Sequence, residues 1–447
     1  MRGAKIAVYT ALYIVTLFLA ASSFLLHAHT ITSIWFILVR ALIVFFATVL
    51  LTKYTLYMFI SPWFHVMGKR EQVLVDHFVQ QYHPYVSVLI PAWNEEVGIL
   101  HTVKSLLKST YKHMEIIIVN DGSTDGSDRL IRRFIEKYER ELDGVHEAIK
   151  LVYWYQENGG KGAALNTALK LAKGDLLLSI DADCHVHEYA VEAYVNAFRN
   201  PAVMAAVGNV KIGNAKTLVG TVQELEFLLS FYFKRADSLL NTIYIIGGAA
   251  GAFRKEVFQQ LGGYSTKNIT EDIELSVRIQ EAGMRIVYCP DAIVYTEGAS
   301  TLYGLMKQRL RWKRGRFQTF WEHRRLFFSL KPQHNKLLTW LVLPLAIFGD
   351  VQLGFEPIFI LVLYIFSFLT GDMSAFFSGI IVVALMFAIQ WWESREQGSY
   401  LLLAPIGWLL FYLCTFVEIY ALIQSIWLSL RKKEASWQRW ARSGALD

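Results

Sequence analysis

The stretch Ser-Ile-Asp-Ala-Asp-Cys-His-Val, residues 179–186, ends an apolar run with two carboxylates, Asp181 and Asp183. Alternate residues of an extended segment share a face, so both acids can converge on one cation. An oxygen-only pair suits a hard ion, Mg²⁺ or Mn²⁺. Such an ion would bridge the phosphates of a nucleotide and offset the charge of a leaving diphosphate. The stretch has no surplus of cationic side chains that would replace an ion. The plain alternatives are an acidic loop, or a helix start capped by Asp183. His185 and His187 add a rival, a transition-metal site of mixed ligands. It lacks a matching His pair near another strand end.

Four further stretches carry chemistry of their own. In Ile-Ile-Ile-Val-Asn-Asp-Gly-Ser-Thr-Asp-Gly-Ser, 116–127, a strand delivers Asp121 into a turn. A carboxylate there can accept hydrogen bonds from a uracil ring or a ribose. Asn-Asp-Gly-Ser is also good material for an ordinary Asx turn. In Asn-Gly-Gly-Lys-Gly, 158–162, Lys161 sits where a helix N-terminus could meet a phosphate. The spacing is not that of a Walker loop, and a surface lysine explains it as well. At 269–283 a helix opens with Thr270, Glu271 and Asp272. The helix dipole favours acids there; the functional reading makes Asp272 a general base for an attacking hydroxyl. Finally, 308–320 holds Gln308, Arg309, Arg311 and Trp312, then Lys313, Arg314 and Arg316. A basic amphipathic helix at a membrane surface accounts for the later charges. The Gln-Arg-x-Arg-Trp cluster suits a diphosphate held by arginine and a sugar ring stacked on Trp.

These residues need elements to position them. Across 85–330, short β-branched runs alternate with amphipathic helical runs. That alternation predicts an α/β domain whose sheet is mostly parallel with crossover helices. Ligands of such sheets bind beyond the carboxyl ends of the strands, which is where the acids after 116–119 and 176–180 fall.

The flanking sequence is of another kind. Of 447 residues, 54% are hydrophobic and 18% charged, too apolar for an ordinary soluble protein. Apolar runs at 6–28 and 35–61 predict two transmembrane helices, the second containing Arg40 and Lys53. Arg2 and Lys5 place the N-terminus in the cytosol by the positive-inside rule. A signal peptide fits less well, because the first run is long and a second follows at once. Further runs lie at 337–352, 355–371, 374–392 and 400–429, with Asp350 and Glu356 interrupting the first pair. The basic tail should be cytosolic, so an even number of crossings is expected, four by preference and two otherwise. The predicted division is 1–63, two spans; 64–330, a cytosolic domain ending in interfacial helices; 331–430, membrane; and 431–447, tail. Lys and Arg are scattered or flank apolar runs, so the net charge of +6 is no sign of nucleic-acid binding. Cys184, Cys289 and Cys414 form no disulfide framework or metal pair.

The order of these motifs resembles the membrane-integrated, inverting, processive glycosyltransferases: the cellulose, chitin, hyaluronan and poly-N-acetylglucosamine synthases. The resemblance covers essentially the whole chain. It implies that Asp121, Asp181 and Asp183 bind UDP and metal, that Thr270 and Glu271 flank the base Asp272, and that Gln308, Arg309, Arg311 and Trp312 lie near the donor diphosphate and the acceptor. It also implies that Ala92, Asn94 and Glu95 border the nucleotide, that Lys161 serves the donor, and that Gly248 lies at the diphosphate. Residues 247–264 look most like the poly-N-acetylglucosamine synthases, although 308–317 lacks some small residues expected there after Trp312. The implied activity is polymerisation of a β-linked polysaccharide from a UDP-sugar, by preference UDP-N-acetylglucosamine, with Mg²⁺ or Mn²⁺, in the cell membrane and coupled to export. Its implied partners are the growing polysaccharide, the bilayer and, as a further option, a small accessory membrane protein. A single-addition polyprenyl-phosphate glycosyltransferase and a catalytically dead sugar-binding transporter or receptor are the competing readings.

Overall fold

The computed structural model describes residues 34, 37, 38, 41, 56–68, 82–141, 148–215, 217–371 and 407–431. The expected span at 6–28, most of the second with Arg40 and Lys53, the run at 374–392 and the tail beyond 431 lie outside the described residues. In chain order the domain runs β1 Val86–Ala92, α1 Ile99–Leu107, β2 Met114–Asp121, α2 Ser127–Glu141, β3 Lys150–Gln156, α3 Lys161–Leu171, β4 Leu176–Ser179 and β5 Cys184–Val186. It continues with α4 Ala190–Ala197, β6 Val203–Ile212, α5 Leu218–Leu240, β7 Gly251–Arg254, α6 Lys255–Leu261, α7 Glu271–Glu281, β8 Arg285–Thr296 and α8 Leu302–Glu322. Two apolar helices follow, α9 Leu343–Thr370 and α10 Gly407–Leu430.

One eight-stranded sheet, in the order β3-β2-β1-β4-β7-β6-β8-β5, organises the domain. Every residue of β1 and of β2 is buried, which is why these strands read as unbroken apolar runs rather than alternating ones. Near their starts, Ser87 Oγ donates to Glu115 Oε1 at 2.7 Å across the pair. The sheet is parallel through β3, β2, β1 and β4, and again between β6 and β8. It is antiparallel where β7 joins β4 and β6, and where β5 joins β8. The expectation of a mostly parallel sheet therefore holds, with the antiparallel pairings among the described residues at β7 and at the β5–β8 edge. The returning strand β7 has only four residues, Gly-Ala-Phe-Arg, too few to show a pattern of their own.

The order of strands decides where ligands bind. From β1 the chain crosses to β2 on one side, and β4 later docks on the other. That reversal opens a crevice at the carboxyl ends of β1 and β4. Register then aligns the ends, with Ala92 beside Asn120 and Asp121 beside Gln156.

Beyond the sheet, α7 and α8 pack together through a polar seam. His323 Nδ1 lies 2.7 Å from Glu281 Oε2, and its Nε2 lies 3.4 Å from Glu274 Oε1. Burial acts to lower the imidazole pKa, but the two carboxylates outweigh it and raise it above its ordinary value. A raised folded pKa contributes stability below the unfolded value and loses it as pH rises through the folded value. His323→Gln is thus expected to lower Tm at acid pH and to leave it unchanged at alkaline pH, as thermal melts over a pH series would reveal.

The runs expected separately at 337–352 and 355–371 are one structure: a π-helical turn at Leu338–Val342 passes straight into α9. Neither Asp350 nor Glu356 breaks it, and both acids find partners. Asp350 pairs with Lys313 and Arg316 of α8, and Glu356 accepts from Thr415 Oγ1 of α10 at 3.3 Å. Among the described residues one helical stretch, Leu338–Phe359, is long and apolar enough to cross a membrane, and Tyr412–Leu428 is a shorter apolar one.

Candidate active site

A cavity of about 630 Å³ opens at the crevice between the ends of β1 and β4. Nearly every residue singled out in the sequence lines it: Ala92, Glu95, Asp121, Lys161, Asp181, Asp183, Gly248, Thr270, Glu271, Asp272, Gln308, Arg309, Arg311 and Trp312.

Asn94 does not. Its backbone is left-handed, at φ 54°, and this turns its amide toward the 122–125 turn. There Asn94 Oδ1 accepts from Thr124 N at 2.6 Å, and Asn94 N donates to Ser123 Oγ at 2.8 Å. Asn94 clamps one rim loop to another and does not face the cavity.

Asp121 is buried and heavily engaged. Its carboxylate accepts from Gln156 Nε2 at 2.7 Å, Gly159 N at 3.0 Å and Gly160 N at 2.8 Å. The side-chain bond that closes this turn comes from Asn120, whose Oδ1 accepts from Ser123 N three residues on. Asp121 thereby fixes the Gly-Gly loop that starts α3. Gly160 takes φ 86° there, a conformation that favours glycine.

Lys161 opens α3, but its ammonium crosses the cavity. Nζ lies 2.7 Å from Asp181 Oδ1 and 3.1 Å from Glu271 Oε1. Burial alone would lower its pKa; Asp181, Glu271 and Asp272 together reverse that and hold it charged. The acid stretch carries no cation of its own, but Lys161 supplies one from across the cavity. Sequence distance hid the contact. Glu271 responds in kind: burial raises its pKa, and Lys161 limits the rise.

The acid turn is held from beneath by residues the sequence did not single out. Thr102 Oγ1 donates to Ala182 O at 2.8 Å and accepts from Cys184 N at 3.1 Å. Gly98 passes so close that an added Cβ would meet Ala182 O and Asp183 Cα at 3.3 Å. Asp183 lies in this turn ahead of β5 and caps no helix. The His185 ring lies tilted against Tyr295 at 6.2 Å and that of His187 against Tyr189 at 5.6 Å; neither lines the cavity. Among the described residues no group of three or more His, Cys, Asp or Glu side chains could hold a metal, which removes the mixed-ligand alternative there. Two carboxylates alone still fit Mg²⁺ or Mn²⁺, ions that commonly take one or two protein carboxylates and complete their shell with substrate phosphates and water.

Asp272 faces the cavity at the start of α7. Gly248 N donates to its Oδ2 at 2.8 Å, and Ile273 N to its Oδ1 at 2.9 Å. Thr270, at the N-cap, makes no side-chain capping bond; its hydroxyl bonds Asn268 Oδ1 at 3.1 Å. Gly248 is central: a Cβ there would lie 2.5 Å from Lys161 Nζ and 3.4 Å from Asp272 Oδ2. Because only the mobile end of a lysine obstructs it, Gly248→Ala is expected to fold with an unchanged Tm. Displacing Lys161 should cost about tenfold or more in kcat, the scale of a small misplacement at a reacting centre. Melting curves and initial rates on one preparation test both halves.

The opposite wall is α8. Gln308 is buried there, and its Oε1 has no hydrogen-bond partner among the described residues. A buried acceptor left unmatched beside a cavity is suited to a ligand's donor. Arg309 covers the Trp312 ring at 4.5 Å, and Phe227 of α5 lies 6.4 Å from it. Gly315 lets α8 approach Thr270, since a Cβ would come within 2.1 Å of Thr270 Oγ1. Phe227, Glu226 and Glu418 line the cavity and were not foreseen; each lies on a long apolar helix with no local motif to mark it.

Residues 83–315, the span that builds this cavity except its last helices, match the model of Glycosyltransferase like family 2. The chain belongs to that family. It is similar to the poly-beta-1,6-N-acetyl-D-glucosamine synthase of Staphylococcus aureus (strain COL), at 33% identity over 232 residues, covering 52% of this chain and 54% of that protein. The synthase of the same name from Staphylococcus epidermidis is 31% identical over 232 residues, with the same coverage. The chain thus spans about half the length of the curated relatives it matches. Among solved structures it is similar to a mannosyltransferase from Pyrobaculum calidifontis in complex with GDP-Man and Mn2+, at 20% identity and a TM-score of 0.49, over 86% of this chain and 100% of that one.

Proposed function

We propose that the chain is a processive, inverting glycosyltransferase that polymerises a β-linked polysaccharide from a UDP-sugar, by preference UDP-N-acetylglucosamine. The observation that carries the reading is the meeting of Asp181, Asp183, Asp272, Gln308, Arg311 and Trp312 on one cavity at the crevice of the sheet. The similarity to poly-beta-1,6-N-acetyl-D-glucosamine synthases supports the choice of sugar.

In this reading Asp272 takes the proton of the acceptor hydroxyl. The freed oxygen attacks the anomeric carbon opposite the diphosphate, whose C–O bond breaks with its electron pair leaving on UDP. One displacement inverts an α-linked donor into a β-linked product. Asp272 suits the role better than Glu271, which is buried and paired with Lys161. Arg311 and Gln308 hold the diphosphate, and Trp312 offers a face to the acceptor ring. Asp181 and Asp183 would hold Mg²⁺ or Mn²⁺, which when bound supplies charge to offset the leaving diphosphate.

The same reading places the chain in the cell membrane with the catalytic domain cytosolic. Support comes from the outward-facing apolar side chains of α9 and α10, among them Val351, Phe355, Ile358, Phe368, Phe416 and Ile423, which suit lipid. Arg324, Arg325, Lys331 and Lys336 lie just ahead of that region, as the positive-inside rule favours. A partner protein is an open addition to this reading.

Labelled UDP-sugar given to purified full-length protein separates the alternatives. A long polymer is expected. One lipid-linked sugar would point to a polyprenyl-phosphate transferase, and no transfer to a binding protein. Export has its own test in proteoliposomes with the catalytic face outward. Polymer should accumulate in the lumen, resistant to added glycosidase until detergent is present. Complete digestion without detergent would mean synthesis without translocation.

A further inference from the structure

Three cations on one face of α8 are held by acids that belong to other helices. Arg309, Lys313 and Arg316 recur at helical spacing. Lys313 Nζ lies 2.7 Å from Asp350 Oδ1 and 2.8 Å from Glu418 Oε2. Arg316 Nη2 lies 2.6 Å from Asp350 Oδ2. Arg309 Nε lies 3.5 Å from Glu418 Oε1, and its Nη2 pairs with Glu226 of α5.

Asp350 lies inside the apolar stretch of α9, and Glu418 inside that of α10. An acid in such a helix is costly unless it is paired, and the largely buried cations of α8 have the same need. The pairing therefore fixes the rotation and depth of α8 against α9 and α10. Rotation of α8 is also what aims Gln308, Arg311 and Trp312 at the cavity, since Gln308 adjoins Arg309 and Trp312 adjoins Lys313.

We propose that Asp350 and Glu418 are positioning residues for the diphosphate end of the donor: by setting the rotation of α8 they place Gln308, Arg311 and Trp312. This rests on the donor reading given above. The donor site then does not end with the sheet domain but includes two acids from α9 and α10. A shift of either helix would be felt at the diphosphate.

The test compares UDP with UMP, which lacks the second phosphate, by calorimetry on the full-length protein in lipid nanodiscs. Asp350→Asn and Glu418→Gln form separate arms, because each leaves Lys313 one carboxylate and thus a route to a folded protein. In both, the Kd for UDP should rise about tenfold or more, as expected for a misplaced binding group. The Kd for UMP should stay within about twofold in the same measurement, its nucleoside end being held elsewhere. Asp350→Glu, which keeps the charge, should recover UDP affinity. UDP affinity unchanged in both arms overturns the inference. So does equal weakening of UDP and UMP with a lowered Tm, which marks a merely structural pair. Failure of the unaltered protein to bind either nucleotide overturns the donor reading itself, and the inference with it.

Discussion

Asp272→Asn is expected to slow sugar transfer by at least about a hundredfold, the scale of losing a general base. The substitution is nearly isosteric. Its amide oxygen can still accept from Gly248 N, which now donates to Asp272 Oδ2 at 2.8 Å, while the bond from Ile273 N to Oδ1 is given up. The cavity should keep its shape while the proton acceptor is lost. UDP binding should therefore persist, and single-turnover rates at saturating donor should carry the whole defect. Loss of UDP binding instead would mean that Asp272 is structural. Analysis of the anomeric configuration of the first linkage checks the same step, since a retained α configuration would exclude a single displacement.

Chelation should abolish transfer, and Mg²⁺ or Mn²⁺ should restore it. The expected loss is at least about a hundredfold, because a metal's stabilisation of a leaving phosphate is worth several kcal/mol. Asp183→Asn should lose turnover and metal dependence together. The turn that carries the pair is held by Thr102 from α1, so the amide variant should fold and its defect can be read as chemistry. Lys161 supplies the contrary hypothesis. Its ammonium already lies 2.7 Å from Asp181, and full activity in EDTA would assign charge neutralisation to it. Lys161→Met in parallel distinguishes the two: if a metal serves, this variant should bind Mn²⁺ more readily without nucleotide, as electron paramagnetic resonance of free Mn²⁺ would report.

Much of the site was legible in one dimension, for a physical reason. Asp121 ends one buried strand and Asp181 follows another; their unbroken apolar runs announce parallel-sheet cores, and ligands of such sheets gather at strand ends. Asp272 follows a helix-start signature, and Gln308, Arg311 and Trp312 lie within one turn and a half of a helix. Local pattern was enough to place each near an element's end or on one face, and the cavity collects them all.

Pairing across long separations was not legible, because it depends on which strand ends and helix faces meet. Lys161 and Asp181 are brought together by the junction of β4 with β1, and Lys161 meets Glu271 because the start of α7 reaches the same cavity. Asn94 was placed at the nucleotide by its neighbours in sequence, whereas a left-handed backbone turns it away. The antiparallel link from β4 to β6 rests on a strand of four residues, too short for any periodicity to declare. Asp350 read as an interruption between two apolar runs. In three dimensions it is the counter-ion of Lys313 and Arg316, and that pairing offsets the cost of an acid in an apolar helix.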